Sequence, residues 1–227
     1  MIILQIETST NVCSVALSEN GQCIFSKSNS DGMNHAALLS VFIAEAMEVL
    51  KPEAKKLDAV AVSSGPGSYT GLRIGVSTAK GLCYGFEIPL IAISTLEVLT
   101  AEALKQVENR KIALFCPMID ARRMEVYAAF YDGKGEIKRE ISADIITLDS
   151  YDEILVNQPI YFFGNGAEKC KTTINHPNAH FIDNLVPLAV NMIPFAEKAF
   201  VEKKFVDVAY FEPFYLKEFQ TTTPKRQ

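Results

Sequence analysis

The chain writes the same opening twice, and that constrains its fold more than any other feature. Residues 2–6, 12–17 and 23–26 are short apolar runs separated by Thr8-Ser9-Thr10-Asn11 and Glu19-Asn20-Gly21. They read as three strands joined by tight turns, the second built on the Asn-Gly pair that hairpins favour. After Glu108-Asn109-Arg110-Lys111 the pattern restarts, with strands expected at 112–119, 125–131 and 137–142 and the turn Asp132-Gly133-Lys134-Gly135 before the last of these. Helices and strands fill out each half. The first has a helix at about 35–50, a strand at 57–63, a helix from Ser68 or Thr70 to Phe86, a strand at 89–93 and a helix at 94–108. The second has a helix at 149–156, a strand at 160–163 and a helix at 186–203. Strand triplets followed by alternating helices and strands make an α/β order. Two related α/β lobes are therefore expected, residues 1–106 and 107–227, with about the last 25 residues assigned to neither by pattern.

Composition narrows the class of function. Hydrophobic residues make up 48% of the 227, enough for a core. The first residues lack a basic leader and no run of eighteen apolar residues occurs, so neither a signal peptide nor a membrane span is expected. The five cysteines are scattered without a C-x-x-C pair, which suits a reduced, cytoplasmic protein better than a disulfide framework or a zinc cluster. With 27 acidic and 22 basic residues the net charge is -5, and unaided binding to a phosphate backbone is not expected.

The most informative local stretch is Gly65-Pro66-Gly67-Ser68-Tyr69-Thr70-Gly71-Leu72-Arg73-Ile74-Gly75. A glycine-rich turn from strand to helix presents backbone N–H groups where an anion can sit, which makes Gly65, Gly67, Thr70 and Gly71 anion-loop candidates. The spacing matches neither a P-loop nor a dinucleotide fingerprint nor a nucleophile elbow, and a tight turn with close packing is the plainer reading. The helix after it sets Gly71, Gly75 and Ala79 four residues apart on one face, where small side chains permit close approach. In the preceding helix, residues 36–50, the polar members leave an arc of about 220° wholly apolar, far more than one sheet needs. Either a neighbouring helix of the same chain or a partner protein covers the excess. The expected contact set is Leu39, Ile43, Met47, Gly71, Gly75 and Ala79.

No nucleophile–base set is visible. His176 and His180 stand four apart, but Pro177 and Asn178 between them suggest a loop rather than a ligand pair. The charges of Asp120-Ala121-Arg122-Arg123 join two strands and either bind an anion or pair around a hairpin. No catalytic residue, metal ligand or cofactor is assigned.

Ile6-Glu7-Thr8-Ser9, the 65–75 segment, Ala79-Lys80-Gly81-Leu82, Ile88-Pro89, Ser94-Thr95-Leu96-Glu97 and Asp120-Ala121-Arg122-Arg123 occur in the order and spacing of the bacterial TsaB (YeaZ) family. Pro213-Phe214-Tyr215-Leu216 resembles that family's closing P-x-Y-L, while Met124 stands where the family more often has glycine. The resemblance implies two actin-like (ASKHA) lobes, each a mixed sheet with helices. It also implies a role in threonylcarbamoylation of the adenosine beside the tRNA anticodon, through pairing with the catalytic paralogue TsaD and docking of the ATPase TsaE. A homodimer when alone, and tRNA reached only through the complex, complete the expected partners. TsaD-like proteins hold a metal with HxxxH on the first helix, whereas here His35 is followed by Leu39. Actin-like ATPases carry a glycine after the first-strand acid, and Glu7-Thr8-Ser9-Thr10 has none. A non-catalytic subunit is the reading these departures favour, against a glycoprotease-type metallopeptidase or a nucleotide hydrolase.

Overall fold

A computed structural model describes residues 1–30, 32 and 34–216. Sheet one comprises β1 (Ile2–Glu7), β2 (Cys13–Glu19), β3 (Gln22–Asn29), β4 (Ala59–Gly65) and β5 (Leu90–Ser94), in the order β3-β2-β1-β4-β5. Sheet two comprises β6 (Leu114–Asp120), β7 (Glu125–Tyr131), β8 (Ile137–Ile145), β9 (Ile160–Phe163) and β10 (Ala179–Ile182), in the order β10-β9-β6-β7-β8. In each sheet the first three strands are antiparallel and the last two run parallel to the first. The two sheets are thus copies of one topology, as the doubled sequence pattern requires. Asn20 and Gly21 both take positive φ, 47° and 78°, the conformation for which the β2–β3 turn carries Asn-Gly.

β1, β2 and β4 are buried at nearly every position, because both faces of the sheet are covered there. On one face, Leu4, Ile6, Val15, Val60 and Val62 meet α1 (His35–Glu48) and α2 (Tyr69–Phe86). On the other, Ile3, Ala16, Ala61 and Ile93 meet α3 (Thr95–Gln106) through Val98 and α5 (Ile193–Val201) through Ala196. α3 also turns Leu96, Leu99 and Ala103 onto sheet two, against Phe115, Ile119, Tyr131 and Phe163. The far face of sheet two packs Cys116, Met118, Val126 and Phe162 around α4 (Asp152–Leu155) through Leu155.

The start of α3 follows its sequence signal. The Ser94 hydroxyl accepts from the Leu96 amide at 3.2 Å and the Glu97 carboxylate from the Ser94 amide at 3.2 Å. The end of the chain departs from expectation. The helix expected at 186–203 is a 3₁₀ turn, Ala189–Met192, followed by the shorter α5, with Pro194 seated in the first turn where its missing N–H costs nothing. α5 returns to sheet one, and the segment after it closes on the same lobe. The Val206 amide donates to Leu90 O at 2.9 Å, Lys80 Nζ to the Ala209 and Phe211 carbonyls, and the Phe214 amide to Ser64 O at 2.8 Å. The terminal residues 221–227, expected to be frayed, lie outside the described residues.

Candidate functional site

The glycine loop follows β4 and opens α2, and its glycines answer to the turn between β1 and β2. A Cβ on Gly67 would lie 2.2 Å from Ser9 O, one on Gly71 2.1 Å from Thr8 O, and one on Gly75 2.2 Å from Thr8 Oγ1. No side chain fits at such distances. Hydrogen bonds fix the approach: the Ser68 amide donates to Ser9 O at 2.6 Å and Thr8 Oγ1 to Gly71 O at 2.8 Å. Ser68 caps the helix, its hydroxyl accepting from the Gly71 amide at 3.2 Å and its carbonyl from the Leu72 amide at 2.8 Å. Of the anion-loop candidates, Gly67 and Gly71 therefore face the chain's own backbone, Gly65 abuts Leu72 and the Phe214 carbonyl, and Thr70 is exposed. The amides of Ser68, Gly71 and Leu72 are already engaged.

Behind the loop lies a buried polar cluster. Glu7 is wholly buried and accepts from the Ser9 amide through Oε1 at 2.6 Å. Loss of hydration pushes its carboxyl above the ordinary 4.5, and the bond from Ser9 only partly offsets this. His35, also buried, holds Nε2 2.7 Å from the Thr10 carbonyl, so that nitrogen carries the proton. His35 thereby pins the start of α1 to the β1–β2 turn, and Leu39 one turn on lies in the apolar core.

The expected contact residues fall elsewhere than on the surface. Leu39, Ile43 and Ala79 are 2%, 6% and 0% exposed, packed in the core that α1 and α2 share with sheet one. Gly71 and Gly75 are buried against Thr8, and only Met47 keeps partial exposure. The correction has a physical reason: periodicity measures the width of an apolar arc, and the sheet takes the half of it that carries the larger side chains. What the two helices leave outside is a different set. α1 exposes Ala37, Ser40, Val41 and Ala44, and α2 exposes Ser77, Gly81, Tyr84 and Gly85. Ser77, Gly81 and Gly85 repeat every four residues, and a Cβ on Gly81 or Gly85 would meet nothing. A shallow groove of about 480 Å³ runs beside them, between Lys80, Gly81 and Tyr84 on α2 and Asp207, Val208 and Ala209.

The histidine pair is also accounted for. His180 lies on β10 with its ring 5.0 Å from that of Tyr161, and His176 Nδ1 accepts from the Asn178 amide. Among the described residues no three His, Cys, Asp or Glu side chains gather in a metal-holding group. None of the helices described is long and apolar enough to cross a membrane.

Twin five-stranded mixed sheets, sharing one helix and carrying the strand order of a duplicated unit, define an actin-like α/β protein of two lobes. The chain belongs to the TsaB (YeaZ) family. A family model described as TsaD, tRNA N6-adenosine threonylcarbamoyltransferase, matches residues 30–211. The tRNA threonylcarbamoyladenosine biosynthesis protein TsaB of Escherichia coli is 30% identical over 96% of this chain and 95% of its own. The Bacillus subtilis TsaB is 30% identical over 77% of this chain and 75% of its own. The solved structure of YeaZ from Pseudomonas aeruginosa superposes with a TM-score of 0.77 at 25% identity, covering 95% of this chain and 99% of that one.

Proposed function

We infer that this chain is a non-catalytic subunit of the tRNA threonylcarbamoyladenosine machinery, which binds and stabilises a TsaD-type transferase and helps to dock a TsaE-type ATPase. The observation that carries the reading is the outer face of α1 and α2. Small residues at 77, 81 and 85 leave backbone open to close approach, and the flanking Val41, Tyr84 and Phe86 are 48%, 84% and 51% exposed. Such a surface gains by burial against a second pair of helices, in a partner or in a second copy of this chain when the partner is absent. The glycine loop supports the non-catalytic part: of the amides that would cradle a phosphate, that of Ser68 is bonded to the β1–β2 turn and those of Gly71 and Leu72 to Ser68 itself. The lobes divide at residues 106 and 107, and α5 crosses back over that division.

The test places a charge on the exposed face. Ala44→Asp and Gly81→Asp are expected to abolish cosedimentation with a TsaD-family protein while leaving the melting temperature of the isolated chain within a few degrees of the parent. A carboxylate desolvated in the contact would cost several kcal/mol, against almost nothing on a free surface. Undiminished association would refute the assignment, as would peptidase or nucleotide-hydrolysing activity of the purified chain.

A further inference from the structure

Parallel strands of open α/β sheets hold ligands beyond their carboxyl ends, where neighbouring connections part. Each sheet here has one such place. In sheet one, beyond β1 and β4, it is filled by the chain itself, with Ser9 O against Gly67 and Thr8 O against Gly71. The equivalent place in sheet two, beyond the parallel pair β6 and β9, is packed in the same way, a Cβ on Gly164 falling 2.5 Å from Met118 O and one on Gly166 2.9 Å from Ile119 C, and what differs is the charge beside it. The hairpin tip after β6 carries Arg122 and Arg123, both exposed. Neither guanidinium has a hydrogen-bond or ion-pair partner among the described residues.

The tip is held against its own preference. Arg122 and Arg123 take φ of 70° and 50°, a left-handed conformation that glycine and asparagine adopt readily and arginine does not. The surroundings enforce it. The Ala121 amide donates to Glu125 O at 3.1 Å, the Glu125 amide to Arg122 O at 3.2 Å and the Arg122 amide to Asp120 Oδ1 at 3.1 Å. The loop after β9 braces the base, with Asn165 Oδ1 accepting from the Asp120 amide at 3.0 Å and the Gly166 amide donating to Met118 O at 2.9 Å. Lys169 bonds the Asp120 carboxylate and the Glu125 carbonyl. The Asp120 carboxylate is thus taken up by a lysine, and neither arginine pairs with it among the described residues.

We propose that Arg122 and Arg123 form a contact for RNA backbone phosphates. Guanidinium groups pair with phosphate oxygens in two-pronged geometry, and two on one braced tip span successive phosphates. An exposed hairpin tip has no walls to enclose a small anion, which suits a long polyanion gripped from one side. Because the whole chain carries -5, its share of RNA binding has to be local, and the contact operates within the assembly inferred above, on which this proposal rests.

The experiment compares the parent with two double variants, Arg122→Asn/Arg123→Gly and Arg122→Gln/Arg123→Gln, each in complex with a TsaD-family protein and titrated with tRNA across salt concentrations. The Asn-Gly pair relieves the backbone and is expected to raise the melting temperature, so a binding loss cannot be blamed on misfolding. The Gln pair removes charge while keeping side-chain length. Both are expected to weaken tRNA binding by about tenfold or more and to make the plot of log affinity against log salt shallower by about 2. Lys56→Gln, on the first lobe, serves as the control with no change. An unaltered salt slope in an intact complex overturns the proposal. Micromolar binding of ATP that both variants lose overturns it in favour of a small anion. Failure of the parent to form a complex overturns the preceding section's reading and this proposal together, whereas the slope alone addresses only this one.

Discussion

Alanine at Gly71 and alanine at Gly81 add the same methyl group to the same helix, and the structure assigns them opposite signs. In a helix interior, replacing glycine by alanine is worth about 1 kcal/mol, because glycine loses more backbone freedom on folding. At Gly81 nothing lies within 4 Å of the new Cβ, so the full gain is expected. At Gly71 the new Cβ would sit 2.1 Å from the Thr8 carbonyl oxygen, which is backbone in a turn bonded on both sides. Restoring an ordinary contact pushes that turn away by roughly 1 Å. The shift strains the bonds from Ser68 N to Ser9 O and from Thr8 Oγ1 to Gly71 O, each worth about 1 kcal/mol net. Overpacking adds about 1–3 kcal/mol. If both bonds are lost, then after subtracting the helix-propensity gain Gly71→Ala is expected to cost about 2–4 kcal/mol. For a chain of this size each kcal/mol moves the melting temperature by about 2–4 °C. Thermal unfolding of the isolated chain by circular dichroism should therefore show Gly81→Ala up by about 2–4 °C and Gly71→Ala down by about 4–16 °C. Shifts of the same sign, or a Gly71→Ala protein as stable as the parent, would refute the claim that the β1–β2 turn dictates the glycines.

Two further outcomes follow from buried groups. The Glu7 carboxyl titrates higher folded than unfolded, so the folded state holds its proton longer, and stability falls as pH rises from 4.5 through the raised folded value. Glu7→Gln should flatten that part of the pH–stability curve and be at least as stable as the parent at neutral pH; a curve of unchanged shape would contradict this. Cys13, Cys83, Cys116 and Cys170 are buried, burial pushing the Cys13 and Cys83 thiols up to about 11, whereas Cys23 is exposed on β3. Brief alkylation of the native protein at pH 8, read by mass spectrometry, should add one label at Cys23, and five after unfolding.

The sequence carried the doubled strand triplets, α1 to α3 and the Ser94–Glu97 cap, because periodicity, Asn-Gly and capping residues are local signals that tertiary structure here reinforces. β10 escaped it: Ala179–Ile182 follows Pro177 and Asn178, and four residues are too few to show alternation. The end of the chain escaped because α5 owes its place to sheet one, a contact across about 190 residues that no local pattern encodes. At the glycine loop, spacing showed that something approaches closely but not what; Thr8 and Ser9 lie about 60 residues away. The width of the α1 arc was likewise legible, while its division between core and surface is set by the sheet underneath.

The return of α5 to sheet one also governs the order of events at the ribosome. Domains commonly fold from the N-terminus as they emerge, at about 5–20 residues per second. Here Ile3, Ala16, Ala61 and Ile93 are complete as a surface once β5 is made, yet Met192 and Ala196, which cover them, are synthesised about 100 residues later. For some 5–20 seconds the nascent first lobe presents an apolar sheet face that only α3 covers, a natural target for chaperones that bind such surfaces.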